Sequence, residues 1–193
     1  MSHLREEPVE SQKILEGKLL HVYRDEVRLA GGDTTVREWI DHPGASAVVP
    51  LFEDGSTIMV RQFRYPPRRE FLEVPAGKLD QVGEAPAEVA QRELEEETGW
   101  RAGELIFLHS LYPCIGYSNE IIHFFLARKL ERGRRDLQHG EAMDLVTFGF
   151  AEAVAMAGRG EILDMKSVAA LLLAERYLDG VEPEQEPEGK TFR

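Results

Sequence analysis

The chain has 193 residues, 42% hydrophobic and 30% charged, a length and balance that suit one soluble domain with an ample core. Its net charge of −12 argues against a basic groove for nucleic acid. Its single cysteine, Cys114, cannot form an internal disulfide, which makes a reducing cytoplasm the natural home.

In chain order, the polar, acidic start MSHLREEPVESQ is unlike a signal peptide, and residues 1–14 are expected to be flexible. Residues 18–23, 26–29 and 34–40 read as short strands, with a turn at Gly31-Gly32, and make residues 15–44 an N-terminal antiparallel region. Residues 46–52 and 57–63 read as strands joined through Asp54-Gly55, a hairpin signal. After a helix at 86–98, discussed below, residues 105–111 and 121–127 read as buried strands and 146–150 as a shorter one. Residues 151–157 and 166–177 read as helices, the second ended by Asp179-Gly180. The apolar run 168–174 is too short to span a bilayer, so no membrane partner is expected. The main domain is expected over 45–180, with 181–193 a flexible acidic tail.

The most informative stretch is Arg92-Glu93-Leu94-Glu95-Glu96-Glu97-Thr98-Gly99. Pro86 suits a first helical turn, and Gly99 suits a left-handed C-terminal cap. Ala85 is a poor N-cap, so the start is less well marked than the end. On such a helix Glu93, Glu96 and Glu97 stand at i, i+3 and i+4 and share one face. Crowded carboxylates repel one another, but they suit a hard cation such as Mg²⁺ or Mn²⁺. The alternative is a solvated acidic helix.

The stretch resembles the Nudix box, G-x5-E-x7-R-E-U-x-E-E-x-G-U, where U is a large apolar residue. Gly77, Glu84, Arg92, Glu93, Leu94, Glu96, Glu97, Gly99 and Trp100 match it in type. Six residues instead of five separate Gly77 from Glu84, the extra one being Gln81 or Val82 in the loop before the helix. The resemblance implies an α/β/α sandwich with a mixed sheet, plus the N-terminal strand region. Outside the box, Val60-Arg61-Gln62-Phe63-Arg64, Leu72-Glu73-Val74-Pro75-Ala76-Gly77 and Gly116-Tyr117-Ser118-Asn119-Glu120 are similar to the ADP-ribose pyrophosphatase branch. The proline that marks that branch falls on Ile115, with Pro113 two residues early, which leaves GDP-mannose and other nucleotide sugars open as substrates.

The resemblance also implies roles. Glu93, Glu96 and Glu97 are expected to bind Mg²⁺, or Mn²⁺, together with the carbonyl of Ala76. Arg92 and Glu84 are expected to pair and hold loop to helix. Arg64 is expected at the diphosphate. Arg37, Glu38 and Glu120 are expected at the substrate, the first two reaching a partner's site in a homodimer built through residues 15–44. A general base is expected in the loop at 138–144. Glu141 would be either that base or a further metal ligand, and His139 is the other candidate base. The expected reaction is hydrolysis of ADP-ribose to AMP and ribose 5-phosphate. A nucleotide-binding module without catalysis is the reading from another class, disfavoured by the intact glutamate set.

Overall fold

The computed structural model describes residues 3–81, 83–137, 140 and 142–183. Two compact units are distinguished: Met1–Gly44 with Tyr112–Ile121, and Ala45–Leu111 with Ile122–Arg193. Residues 112–121 cluster with the N-terminal unit, not with the main domain expected over 45–180.

The first unit is a three-stranded antiparallel sheet, β1 (Glu7–Glu16), β2 (His21–Arg28) and β3 (Thr34–Asp41), in the order β1-β2-β3. β1 corrects the expectation of a flexible start. Every residue of β1 is exposed, so burial left no alternating pattern to read. Pairing with β2 holds it instead, with Ser11 Oγ donating to Asp25 at 2.6 Å and Lys13 over the Tyr23 ring. The two short strands expected at 18–23 and 26–29 are one strand, β2. Residues 112–121 join this unit through a bridge between Ile40 and Ser118.

The second unit is built on a mixed sheet in the order β7-β4-β9-β8, from β4 (Ala45–Pro50), β7 (Ala76–Lys78), β8 (Trp100–Leu111) and β9 (Ile122–Arg132). β4 and β9 are parallel and the other pairs antiparallel. All six residues of β4 are buried, as expected of a strand covered on both faces. Side chains alternate between the faces. Val48, Phe125 and Ala127 pack with Ala90 and Leu94 of α1 (Pro86–Thr98). Ala47, Val49, Phe124 and Leu126 pack with residues of α2 (Phe150–Gly158) and α3 (Met165–Leu178). The result is an α/β/α sandwich.

A second antiparallel sheet, β10-β5-β6, comprises β5 (Ser56–Arg64), β6 (Arg69–Glu73) and β10 (Met143–Gly149). The turn at Asp54-Gly55 forms, with Gly55 at φ 80° and Phe52 N–H donating to Ser56 at 2.9 Å. The hairpin expected there does not extend past the Leu51–Thr57 bridge. Both edges of β4 are taken by β7 and β9, so β5 must pair elsewhere.

Candidate active site

α1 carries the acidic cluster, and its ends explain its position. Glu88 reaches back to accept the Ala85 N–H at 2.8 Å, which compensates for an N-cap without a polar side chain. Pro86 opens the helix, and Gly99, at φ 75°, closes it by donating to Glu95 O at 2.8 Å. Val89, Ala90 and Leu94 are fully buried, and this apolar stripe fixes the rotation of the helix on the sheet. That rotation turns Glu93 and Glu97, one turn apart, into sites only 8% and 5% exposed. Both lie against β7. Ala76 N–H donates to Glu97 at 3.3 Å, and the open face of Gly77 receives the Glu93 carboxylate.

Arg92 ties this cluster to the preceding loop. Its Nε and Nη2 donate to the two oxygens of Glu84 at 2.9 and 3.2 Å. Its Nη1 donates to Glu93 at 2.6 Å and to Glu96 at 3.3 Å. The hydrogen bond that Arg92 donates to Glu84 and the neighbouring carboxylates raise the pKa of Arg92 further, against the opposing effect of burial. The outer side of α1 borders an open groove of about 610 Å³ lined by Gln91, Arg92, Glu95, Glu96, Arg134 and Asp136.

Among the described residues, no three acidic, imidazole or thiol side chains converge as a ready-made metal cage. The chemistry of the donors nevertheless fits a hard cation. Glu93 and Glu97 are buried carboxylates beside Gly77 and Ala76, Glu96 lies one helical turn from Glu93 and next to Glu97 in the chain, and all offer oxygen.

A second charged cluster backs the site. Arg64 donates from Nε and Nη2 to Glu73, both at 2.6 Å, and Lys166 also donates to Glu73. Burial opposes a charge on Glu73, which is 2% exposed, but Arg64 and Lys166 outweigh it and hold the carboxyl below its ordinary pKa. Arg64 is stabilised as a cation by this hydrogen bond first, and the charges of Asp164 and Glu97 reinforce it. Arg64, expected at a diphosphate, thus lies within electrostatic reach of Glu97.

The NUDIX domain profile matches residues 41–171. The chain belongs to the Nudix family. It is 37% identical over 173 residues to an ADP-ribose pyrophosphatase of Bacillus subtilis, which covers 89% of this chain and 93% of that one. It is 36% identical over 176 residues to an ADP-ribose pyrophosphatase of Mycobacterium tuberculosis, covering 90% of this chain and 85% of the other. Among solved structures, one described as an ADP compounds hydrolase superposes with a TM-score of 0.82 at 23% identity, over 93% of this chain and 97% of that one. At that identity the superposition shows the Nudix fold.

The remaining expected site residues of this Nudix protein fall in two places. Arg37, Glu38 and Glu120 belong to the N-terminal unit. There Arg37 pairs with Glu6 at 2.5 and 3.0 Å, Glu38 with Arg24 at 2.6 Å, and Glu120 lies 3.7 Å from His42. Glu141 and His139, the two candidate bases, lie outside the described residues, as does Val82. The loop leading to the candidate bases is nonetheless anchored to the box helix. Arg135 donates to Glu97 O at 2.7 Å and to Met143 O at 2.8 Å, and Asp136 N–H donates to Glu96 O at 3.0 Å.

Sequence reasoning missed Glu73, Lys166 and Arg135. Glu73 stands in the segment preceding Gly77, but nothing local shows that its partners are nine residues earlier and 93 residues later. Arg135 reads as one more cation in a charged loop, and only the backbone carbonyls it meets distinguish it.

Proposed function

We propose that this Nudix hydrolase cleaves the diphosphate of a nucleoside diphosphate sugar, with ADP-ribose the favoured substrate and AMP and ribose 5-phosphate the products. The observation that carries the reading is the pair of buried box glutamates, Glu93 and Glu97, beside β7 in a chain 37% identical to an ADP-ribose pyrophosphatase. Glu93, Glu96, Glu97 and the carbonyl of Ala76 would hold Mg²⁺, or Mn²⁺. Such a cation offsets charge that develops on phosphate oxygens and favours ionisation of an attacking water.

The side chains divide the remaining work. Arg64 offers a planar fork to the diphosphate. Arg92 holds Glu84 and restrains Glu93 and Glu96 from one side, which keeps the loop after Gly77 close to the helix. Glu141 or His139 accepts the proton of the attacking water. Arg37, Glu38 and Glu120 contact the substrate, and we take the first two to serve a partner's site in a cytoplasmic homodimer assembled through residues 15–44. Among the described residues no helix is long and apolar enough to cross a membrane.

Incubation with Mg²⁺ or Mn²⁺ and a panel of ADP-ribose, GDP-mannose, ADP-glucose, NADH and diadenosine polyphosphates tests the reading. AMP and ribose 5-phosphate should appear fastest from ADP-ribose. Ile115, in place of the branch proline, leaves GDP-mannose and other nucleotide sugars open, and faster cleavage of one of these would move the substrate while retaining the chemistry. No cleavage of any member would leave a nucleotide-binding module.

A further inference from the structure

Glu73 is 2% exposed and sits too deep to meet a substrate itself. Its partner Arg64 keeps 45% of its side-chain surface exposed. β5 and β6 pair with Val60 opposite Glu73 and Arg64 opposite Arg69. Residues 60, 62 and 64 alternate onto one face of the ribbon, so Arg64 reaches back along that face to Glu73. Nε and Nη2 engage the carboxylate as a fork, while a guanidinium carries further donors on Nη1.

The carboxylate is itself held from α3. Lys166, in the first turn of that helix, donates to Glu73 and, at 2.8 Å, to Asp164. Asp164 is the N-cap and accepts from Ser167 N–H at 3.1 Å and Ser167 Oγ at 2.5 Å. Ser167 Oγ in turn accepts the Val74 N–H at 2.8 Å. Both residues flanking the Glu73–Val74 peptide bond are therefore clamped to the start of α3. The chain reaches Ala76 two residues later.

We propose that Glu73 and Lys166 are positioning residues for Arg64: α3 fixes the carboxylate, the carboxylate fixes the guanidinium, and Arg64 turns its remaining donors to the diphosphate of the substrate. The inference rests on the hydrolase reading above. Neither Glu73 nor Lys166 touches substrate; each acts through Arg64. A guanidinium held in advance spends less rotamer entropy when the diphosphate arrives.

A double-mutant cycle on the full chain tests this, with KM, kcat and melting temperature measured for Arg64→Ala, Glu73→Gln and the double variant. Arg64→Ala should raise KM by about 10- to 100-fold, the range of a lost charge-assisted contact. Glu73→Gln should raise KM in the same direction, and the double variant should be no worse than Arg64→Ala alone. If Glu73→Gln does not fold, Lys166→Met takes its place in the cycle, and Lys166→Arg must restore KM. Effects that multiply in the double variant overturn the proposal, as does a lower melting temperature with KM unchanged. A wild-type protein that cleaves nothing in the panel counts against the hydrolase reading alone. The cycle is then read on the calorimetric Kd for ADP-ribose, where the same lack of additivity is required.

Discussion

Gly77 and Glu93 fit against each other with no room for a side chain between them: a Cβ on Gly77 would lie 1.9 Å from Glu93 Oε1 and 2.0 Å from its carboxyl carbon. The glycine at the start of the box is therefore needed for close approach rather than for a turn. Gly77→Ala should push Glu93 off β7 and cut kcat/KM by at least about tenfold, in line with the cost of small displacements at a reacting centre. Because the obstructing atoms belong to a side chain, the fold should survive, with circular dichroism unchanged. Full activity in that variant would detach Glu93 from the site.

Glu97→Gln separates function from stability. Turnover should fall by at least about 100-fold, the scale expected for a group central to catalysis. The melting temperature without metal should hold or rise, because one of three crowded carboxylates is neutralised. Mg²⁺ should raise the melting temperature of the wild type and raise it less in the variant, a readout of binding that needs no turnover. An equal Mg²⁺-dependent shift in both would remove Glu97 from the ligand set.

The Arg92–Glu84 pair is a stability element. Their side chains are only 17% and 14% exposed, so removing Arg92 strands Glu84 in a largely dry site, whereas removing the Glu84 charge leaves Arg92 its bonds to Glu93 and Glu96. Glu84→Gln should cost about 1.5–3 kcal/mol, the scale of lost charge-assisted hydrogen bonds, measured by urea unfolding. Arg92→Ala should cost more than Glu84→Gln, because Glu93 and Glu96 also lose their cation. Equal costs for the two variants would show that Arg92 serves Glu84 alone.

Acid should act through Glu73. Its folded pKa lies below the unfolded value, because Arg64 and Lys166 overcome the penalty of burial. The stability it contributes is therefore present above the ordinary carboxylate range and is lost as pH falls through the folded value. Melting temperature should drop more steeply below about pH 4.5 for the wild type than for Glu73→Gln. Parallel curves would show that Glu73 is not a source of the acid sensitivity.

Arg135 links the end of the box helix to the chain on both sides of residues 138–141, through Glu97 O and Met143 O. Arg135→Ala should destabilise by about 1–2 kcal/mol, since two charge-assisted bonds at a partly exposed site are lost. If that loop carries the base, kcat should fall more than KM changes. An unchanged kcat with the expected loss of stability would confine Arg135 to a structural role.

Local features could be read directly because short-range physics governs them. Pro86 and Gly99 bracketed α1, and the Glu93/Glu96/Glu97 spacing follows from helical geometry alone. The strand at 121–127 was legible as a buried strand, and β9 is indeed buried from Phe124 to Ala127. β1 was not legible, since all ten of its residues are exposed and its order comes from cross-strand pairing. The Asp54-Gly55 turn was legible, but the strands it joins part company because the edges of β4 are already occupied.

By itself, then, the sequence determined the helix, its caps, the acidic face and the family resemblance, all of which depend on residues close together in the chain. Only the tertiary structure decided which carboxylates are buried, that Arg92 restrains Glu93 and Glu96 as well as Glu84, and that Glu73 grips Arg64 while Lys166 grips Glu73. Those outcomes depend on desolvation and on partners far apart in sequence. The energy of a buried charge is set by what surrounds it in space, and a sequence neighbourhood does not carry that information.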